Sequence, residues 1–217
     1  VALSPAQDFK RLHNNDHGPN TGGMGAYSPV PIATPTLVND VLDNFIQPTI
    51  NTLNERGINY RGVLYAGLML TSEGPKLLEY NVRFGDPEAQ VVLPRFETSL
   101  TELLIEAASG DIKATPTFTS DAMVTVVCST EGYPTTPKVG DPITGIEEAA
   151  RTHGIENVYA AGLDLNQKQQ PITAGGRVLA VTGRGNTIQI ARKNAYIGAD
   201  KIHWDGLHKR QDIAEGI

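Results

Sequence analysis

The sequence predicts an α+β fold in two parts, and three observations carry this. Apolar residues recur at helical spacing between positions 34 and 57. Two extended segments joined by turn residues follow, between positions 61 and 84. Beyond about residue 118 the texture changes to short strands punctuated by "EGYP", "NQKQQ" and "AGG". With 40% hydrophobic residues over 217 positions, the chain can bury a substantial core.

The opening "VALSPAQDFKR" has no initiator methionine, and "VALSP" reads like the tail of a strand, so a piece of a longer protein is expected. "HGPNTGGMGAYSPVP", His17 to Pro31, combines glycine, proline and small polar residues. Gly and Pro oppose both helix and strand, which predicts a loop. In "ATPTLVNDVLDNFIQPTINTLNERG", Leu37, Val38, Val41, Leu42, Phe45, Ile46, Ile50 and Leu53 form one apolar stripe. Thr34 is the expected N-cap, Gly57 the stop, and Pro48 the place where the helix should kink or split. "YRGVLYAGLMLT" and "PKLLEYNVRF" predict a hairpin turning through Ser72 to Pro75. "TSLTELLIEAASG" predicts a second helix ending at Gly110, and "DIKATPTFTSD" a linker, placing a domain boundary near Phe118. The expected domains are therefore 1–118 and 119–217. In the second, "AMVTVVCS", "NVYAAGLDL" and "RVLAVTG" read as strands and "NTIQIARKNAYIGAD" as the last helix.

Composition narrows the partners. Eighteen Lys and Arg against 24 Asp and Glu, without a basic block, argue against nucleic acid. Cys128 is the only cysteine, so no disulfide can form within the chain and a reducing, cytoplasmic compartment is expected. No apolar run is long enough for a membrane span, and no signal peptide opens the chain.

The chemistry sits in "KLLEYNVRFGDPE". Side chains alternate along a strand, so Leu78, Tyr80 and Val82 share a predicted core face while Glu79, Asn81 and Arg83 share the other. A carboxylate and a carboxamide oxygen two residues apart suit a hard divalent cation such as Mg²⁺, completed by water and phosphate. An arginine one step further suits a phosphate oxygen. A solvated strand face explains Glu and Arg equally well, although Asn is disfavoured in mid-strand. The turn "FGDPE" would bring Asp86 and Glu88 near the same place.

"GPNTGGMGAYSP" together with "LLEYNVRFGDPEAQ" resembles the phosphoribosylamine–glycine ligase (glycinamide ribonucleotide synthetase) family of ATP-grasp enzymes. "STEGYPTTPKVGDPITG" and "TAGGRVLAVTGRG" resemble that family's C-terminal domain. The resemblance implies the C-terminal part of an ATP-grasp domain, an antiparallel sheet with helices, followed by a small β-rich domain. It implies an ATP-dependent ligase joining phosphoribosylamine and glycine through glycyl phosphate, in purine biosynthesis. It places Mg²⁺, or Mn²⁺, on Glu79 and Asn81, phosphate on Arg83, and substrate near Gly85, Asp86 and Pro87. Asp16, Asn20, Thr21, Gly22, Gly23 and Ser28 become expected substrate contacts, the glycines letting backbone N–H groups approach a ligand as anion-binding nests do. A crossover loop rich in turn residues is the plainer reading of the same stretch. The family's N-terminal half, with its adenine hinge and phosphate-covering loop, has no counterpart here, so this chain alone is expected to be inactive. A monomer is expected. Another ATP-grasp carboxylate–amine ligase, or a catalytically silent module, remain the alternatives.

Smaller signals point to structure. His13, Asp16 and His17 lack ordered metal-ligand spacing. "TGRGNT" is half a phosphate-loop fingerprint, with Asn186 the expected helix cap. Cys128, in an apolar strand, is expected to be buried, and Trp204 to pack.

Overall fold

A computed structural model describes residues 1–217. Strands β1 (Gln7–Asp8), β2 (Arg11–His13), β3 (His17–Asn20) and β4 (Gly25–Ser28) come first. Helix α1 (Pro35–Val41) runs through a π segment (Leu42–Ile46) into α2 (Gln47–Glu55). Strands β5 (Tyr65–Thr71) and β6 (Gly74–Asn81) follow, then the short α3 (Ala89–Val92) and α4 (Leu100–Ser109). The remainder is β7 (Ala122–Ser129), α5 (Ile146–Ala150), β8 (Ile155–Ala160), β9 (Leu163–Leu165), β10 (Pro171–Thr173), β11 (Arg177–Gly185) and α6 (Ile188–Ala199). No helix is long and apolar enough to cross a membrane.

The chain forms two compact units that interleave along the sequence, whereas the shift in composition marks a single cut near Phe118. One unit comprises Val1–Pro5, Val30–Gly85 and Phe96–Phe118; the other comprises Ala6–Pro29, Asp86–Arg95 and Thr119–Ile217. The reason is strand pairing: β4 hydrogen-bonds to both β1 and β7, which draws an early segment into the later sheet.

In the first unit, Thr34 caps α1 as its position predicts, accepting the Leu37 N–H at 3.3 Å. Pro48 does not break the helix. It sits in the first turn of α2, after a widened turn in which the Gln47 N–H reaches back to the Leu42 carbonyl, so the pyrrolidine ring is accommodated by a π-bulge. Helix α4 carries a cap at each end: the Ser99 hydroxyl accepts the Glu102 N–H at 3.2 Å, and Gly110 adopts φ 83°. Replacing Ser99 by Ala should cost about 1 kcal/mol in urea denaturation, while Ser99→Asp, which restores an acceptor, should cost far less. Equal losses for the two would mean the cap is not what the hydroxyl supplies.

The β5–β6 hairpin differs from its predicted face pattern. Leu78 and Val82 are 63% and 74% exposed, so the expected core face of Leu78, Tyr80 and Val82 does not form. The register explains it. Gly67 pairs with Glu79 and Leu68 with Leu77, leaving Leu78 as the extra residue of a β-bulge, where the alternation is reset. Tyr80 alone is anchored, its hydroxyl donating to the Phe45 carbonyl at 2.9 Å and lying 2.8 Å from the Thr49 hydroxyl.

The second unit is built on an antiparallel five-stranded sheet in the order β1-β4-β7-β11-β8. Its interior strands are short apolar runs, and Met123, Val124, Val126, Cys128, Val178 and Val181 are fully buried. Burial pushes the Cys128 thiol up to about 12, so it is inert. Helix α6 packs closely because its partners are small: a Cβ on Gly183 would stand 2.3 Å from the Ala191 carbonyl oxygen and from the Ala195 nitrogen. "TGRG" is thus the end of β11, shaped for helix packing, and the helix cap is Thr187 rather than Asn186.

The glycine-rich stretch is also more ordered than a loop. It contains β3 and β4, and all four β4 residues are buried. Met24, Ala26 and Tyr27 supply the apolar anchors, and Gly25 lies where a Cβ would meet the Thr125 carbonyl oxygen at 2.7 Å.

Candidate functional site

In the first unit, the candidate residues lie at the end of β6. Glu79 and Asn81 share a strand face beyond the bulge, and Asn81 Nδ2 donates to Glu79 Oε1 at 3.2 Å. Arg83, past the strand end, is exposed, with its Nη1 donating to the Phe84 carbonyl at 2.8 Å. The strip therefore offers one carboxylate, one carboxamide and one guanidinium in sequence. Nowhere in the chain do three or more His, Cys, Asp or Glu side chains gather to hold a metal ion on their own. Gly85 is the last residue of this unit's Val30–Gly85 segment.

In the second unit, Arg177 joins the glycine-rich segment to the Asp86 turn. Its Nη1 donates to the carbonyls of Gly22 (2.9 Å), Gly23 (3.4 Å) and Asp86 (2.9 Å). Its Nη2 donates to Asp86 Oδ2 at 2.9 Å, and Gln90 Nε2 donates to Asp86 Oδ1 at 2.9 Å. Both carboxylate oxygens of Asp86 are thereby oriented. The Oε1 of Gln90 is buried with no hydrogen-bond partner. Gly23 holds φ 114°, and a Cβ there would stand 2.4 Å from Pro87 Cδ, so only glycine fits against Pro87. A Cβ on Gly22 would crowd Arg177 Cζ at 2.8 Å.

The backbone amides of this segment are spent internally. Thr21 N–H donates to the Lys10 carbonyl (2.7 Å), Gly22 to the Tyr133 hydroxyl (2.9 Å), Gly23 to Thr21 Oγ1 (3.0 Å) and Met24 to the Phe9 carbonyl (2.8 Å). An anion-binding nest needs those amides, so in this conformation the glycines serve close packing instead. The Thr21 hydroxyl donates to the Lys10 carbonyl at 2.9 Å, and Asn20 is exposed on β3, opposite Arg11.

Two further predicted contacts are held by buried arginines. Ser28 is fully buried, its hydroxyl accepting from Arg95 Nη1 at 2.7 Å. Asp16 accepts from Arg210 Nη1 at 2.8 Å, while Arg210 also clasps Asp212 and is 1% exposed. His13 stacks edge-on with His208, whose Nε2 lies 2.9 Å from the Leu12 carbonyl.

Sequence reasoning missed Arg177, Gln90 and Tyr133. Gln90 lies within the quoted "FGDPEAQ", and Arg177 directly follows Gly175 and Gly176, the latter packed so that a Cβ would meet the Tyr133 ring at 2.2 Å. The Gly-Gly-Arg order at 175–177 was visible in the sequence, but nothing local ties position 177 to positions 22 and 86.

Comparison with known proteins agrees with these motifs. The ATP-grasp (A) domain of phosphoribosylglycinamide synthetase matches residues 1–89, and the C domain of the same enzyme matches residues 123–216. The chain belongs to this family. It is 46% identical to the phosphoribosylamine–glycine ligase of Streptomyces coelicolor, over 98% of this chain and 51% of that protein. It is 48% identical to the corresponding ligase of a Nostoc species, over 97% of this chain and 50% of that one. The crystal structure of the Thermotoga maritima phosphoribosylamine–glycine ligase superposes with a TM-score of 0.83 at 36% identity, covering 98% of this chain and 51% of that chain. The chain spans about half the length of the relatives it matches. All the predicted site residues fall within the part matched by the synthetase A domain, whereas Arg177 and Tyr133 fall within the part matched by its C domain.

Proposed function

We propose that the full-length enzyme containing this chain joins 5-phosphoribosylamine and glycine at the expense of ATP, giving glycinamide ribonucleotide, ADP and phosphate. The observation that carries this reading is the strip of Glu79, Asn81 and Arg83 on one strand end, within a chain of the phosphoribosylglycinamide synthetase family. The donor set fits Mg²⁺ or Mn²⁺: two oxygen-bearing side chains and no dedicated all-protein cage leave positions for water and nucleotide phosphate. Glu79 and Asn81 would hold the cation, Asn81 through its carboxamide oxygen after a half-turn of the amide. Bound there, the ion supplies Lewis-acid neutralisation of phosphate charge. Arg83 then grips a phosphate oxygen of ATP or of glycyl phosphate, the acyl phosphate that the ribosylamine nitrogen attacks. No side chain acts as a covalent nucleophile. Asp86, fixed by Arg177 and Gln90, orients substrate, and the buried Gln90 Oε1 suits an amine N–H. Asn20, Thr21, Gly22, Gly23, Gly85 and Pro87 shape the substrate side.

The half of the enzyme outside this chain would bring the adenine contacts, and a cytoplasmic monomer completes the reading. Residues 1–118 and 119–217 are proposed as its sequence domains, because the two family matches end and begin on either side of that boundary.

ADP release measured with Mg·ATP, glycine and phosphoribosylamine tests the proposal. The full-length enzyme should turn over only when both acceptors are present, and the 217-residue chain alone should not. A full-length enzyme that ignores glycine would overturn the ligase reading. Substrate-dependent turnover by the chain alone would overturn the account of what the other half supplies.

A further inference from the structure

We infer that Arg177 is a positioning residue, setting the glycine-rich segment and the Asp86 turn in one fixed register; as a statement about catalysis this rests on the ligase reading. The guanidinium makes four donor contacts to three residues from two separate segments, Gly22, Gly23 and Asp86. It is mostly buried, with its side chain 21% exposed, so these contacts are shielded from competing water. The neighbouring geometry leaves it no slack. Gly22 approaches so closely that a Cβ would collide with the guanidinium, and Gly23 is pressed on Pro87, the residue after Asp86. On the far side, Tyr133 accepts the Gly22 N–H and packs on Gly176, adjacent to Arg177. The segment is thus gripped at its carbonyls by Arg177 and at its amide by Tyr133.

A planar fork with five N–H donors can span these acceptors, whereas a lysine ammonium is a point that reaches only some of them. Charge alone is therefore not what the position requires. Asp86 keeps one carboxylate oxygen on Arg177 and the other on Gln90, so the arginine sets which way the carboxylate faces.

The test uses the full-length enzyme with Arg177→Lys and Arg177→Ala. Both are expected to lower kcat by about 10- to 100-fold, as loss of an orienting partner does, with KM for ATP unchanged. Guanidinium ion added to Arg177→Ala should restore part of kcat, and should not help Arg177→Lys. Amide exchange supplies an arm independent of turnover: Gly22 and Gly23 should exchange at least about tenfold faster in both variants, with β7 and β11 still protected. Unchanged exchange at Gly22 and Gly23 would overturn the inference. So would a loss of rate that follows only the fraction of folded enzyme and resists guanidinium. If the parent enzyme shows no glycine-dependent turnover, the ligase reading fails, and the exchange arm still decides whether Arg177 sets the register.

Discussion

Glu79→Gln in the full-length enzyme is expected to lower turnover by about 100- to 1,000-fold, the range for removing one preorganised charge-stabilising group. It should also raise the Mg²⁺ concentration needed for half-maximal rate. The substitution keeps the size and shape of the side chain and removes only the negative charge that draws a cation. Asn81→Leu should act in the same direction, because the carboxamide sits 3.2 Å from Glu79 on the same strand face. Tyr80→Phe is the internal control. Its hydroxyl is committed to the Phe45 carbonyl and the Thr49 hydroxyl, so its loss should cost about 1 kcal/mol of stability and leave the Mg²⁺ titration unmoved. Adjacent positions on opposite faces therefore separate a metal effect from a folding effect. A normal rate and an unshifted Mg²⁺ titration in Glu79→Gln would remove the metal assignment.

The elements that were legible in the sequence were those whose cause is local. Thr34 before Pro35 and Gly110 after the apolar stripe of α4 are capping chemistry, which depends on neighbours a few residues away. The β5–β6 hairpin followed from its turn residues, and the Glu79–Asn81 strip from simple alternation. What failed had a non-local cause. The exposure of Leu78 comes from a bulge whose register belongs to the partner strand. The glycine-rich stretch looked like a loop because glycine and proline oppose regular structure. It forms β4 because β1 and β7 pair with it from either side, and Gly25 is the residue that lets β7 come close. Arg177 escaped notice for the same reason: its four acceptors are separated from it by about 90 and 155 residues in sequence. Nor does the sequence show that Asp16 and Ser28, polar residues in a glycine-rich setting, each take a hydrogen bond from an arginine. Their arginine partners, Arg210 and Arg95, lie far along the chain.

The Arg210 cluster carries the largest expected stability effect. Arg210 is 1% exposed, lies over the Phe9 ring at 5.1 Å, and forms two parallel hydrogen bonds to Asp212 at 2.8 and 2.7 Å. Its Nη1 also reaches Asp16 and the Arg11 carbonyl, tying the β2–β3 segment to the C-terminal region. Arg210→Met should cost about 3–5 kcal/mol, because it leaves Asp212 largely buried without its counter-charge. Asp16→Ala should cost no more than about 1 kcal/mol, since that carboxylate is 70% exposed and water can replace the arginine. Changing both partners, Arg210→Met with Asp212→Leu, should recover much of the loss, as apolar replacement of a buried pair often does. The pH dependence fixes the sign. Burial pushes the Asp212 carboxyl up, but the Arg210 hydrogen bonds and the Asn15 amide outweigh it, and the net shift is downward from 3.8. A carboxyl lowered by folding stabilises the folded state above its unfolded value, and that contribution fades as pH falls through the lower folded value. The stability gap between the parent and Asp212→Asn, followed by urea titration, should therefore be full above about pH 5 and shrink below about pH 4. A gap that widens on acidification would show that Arg210 does not hold Asp212 in its charged form.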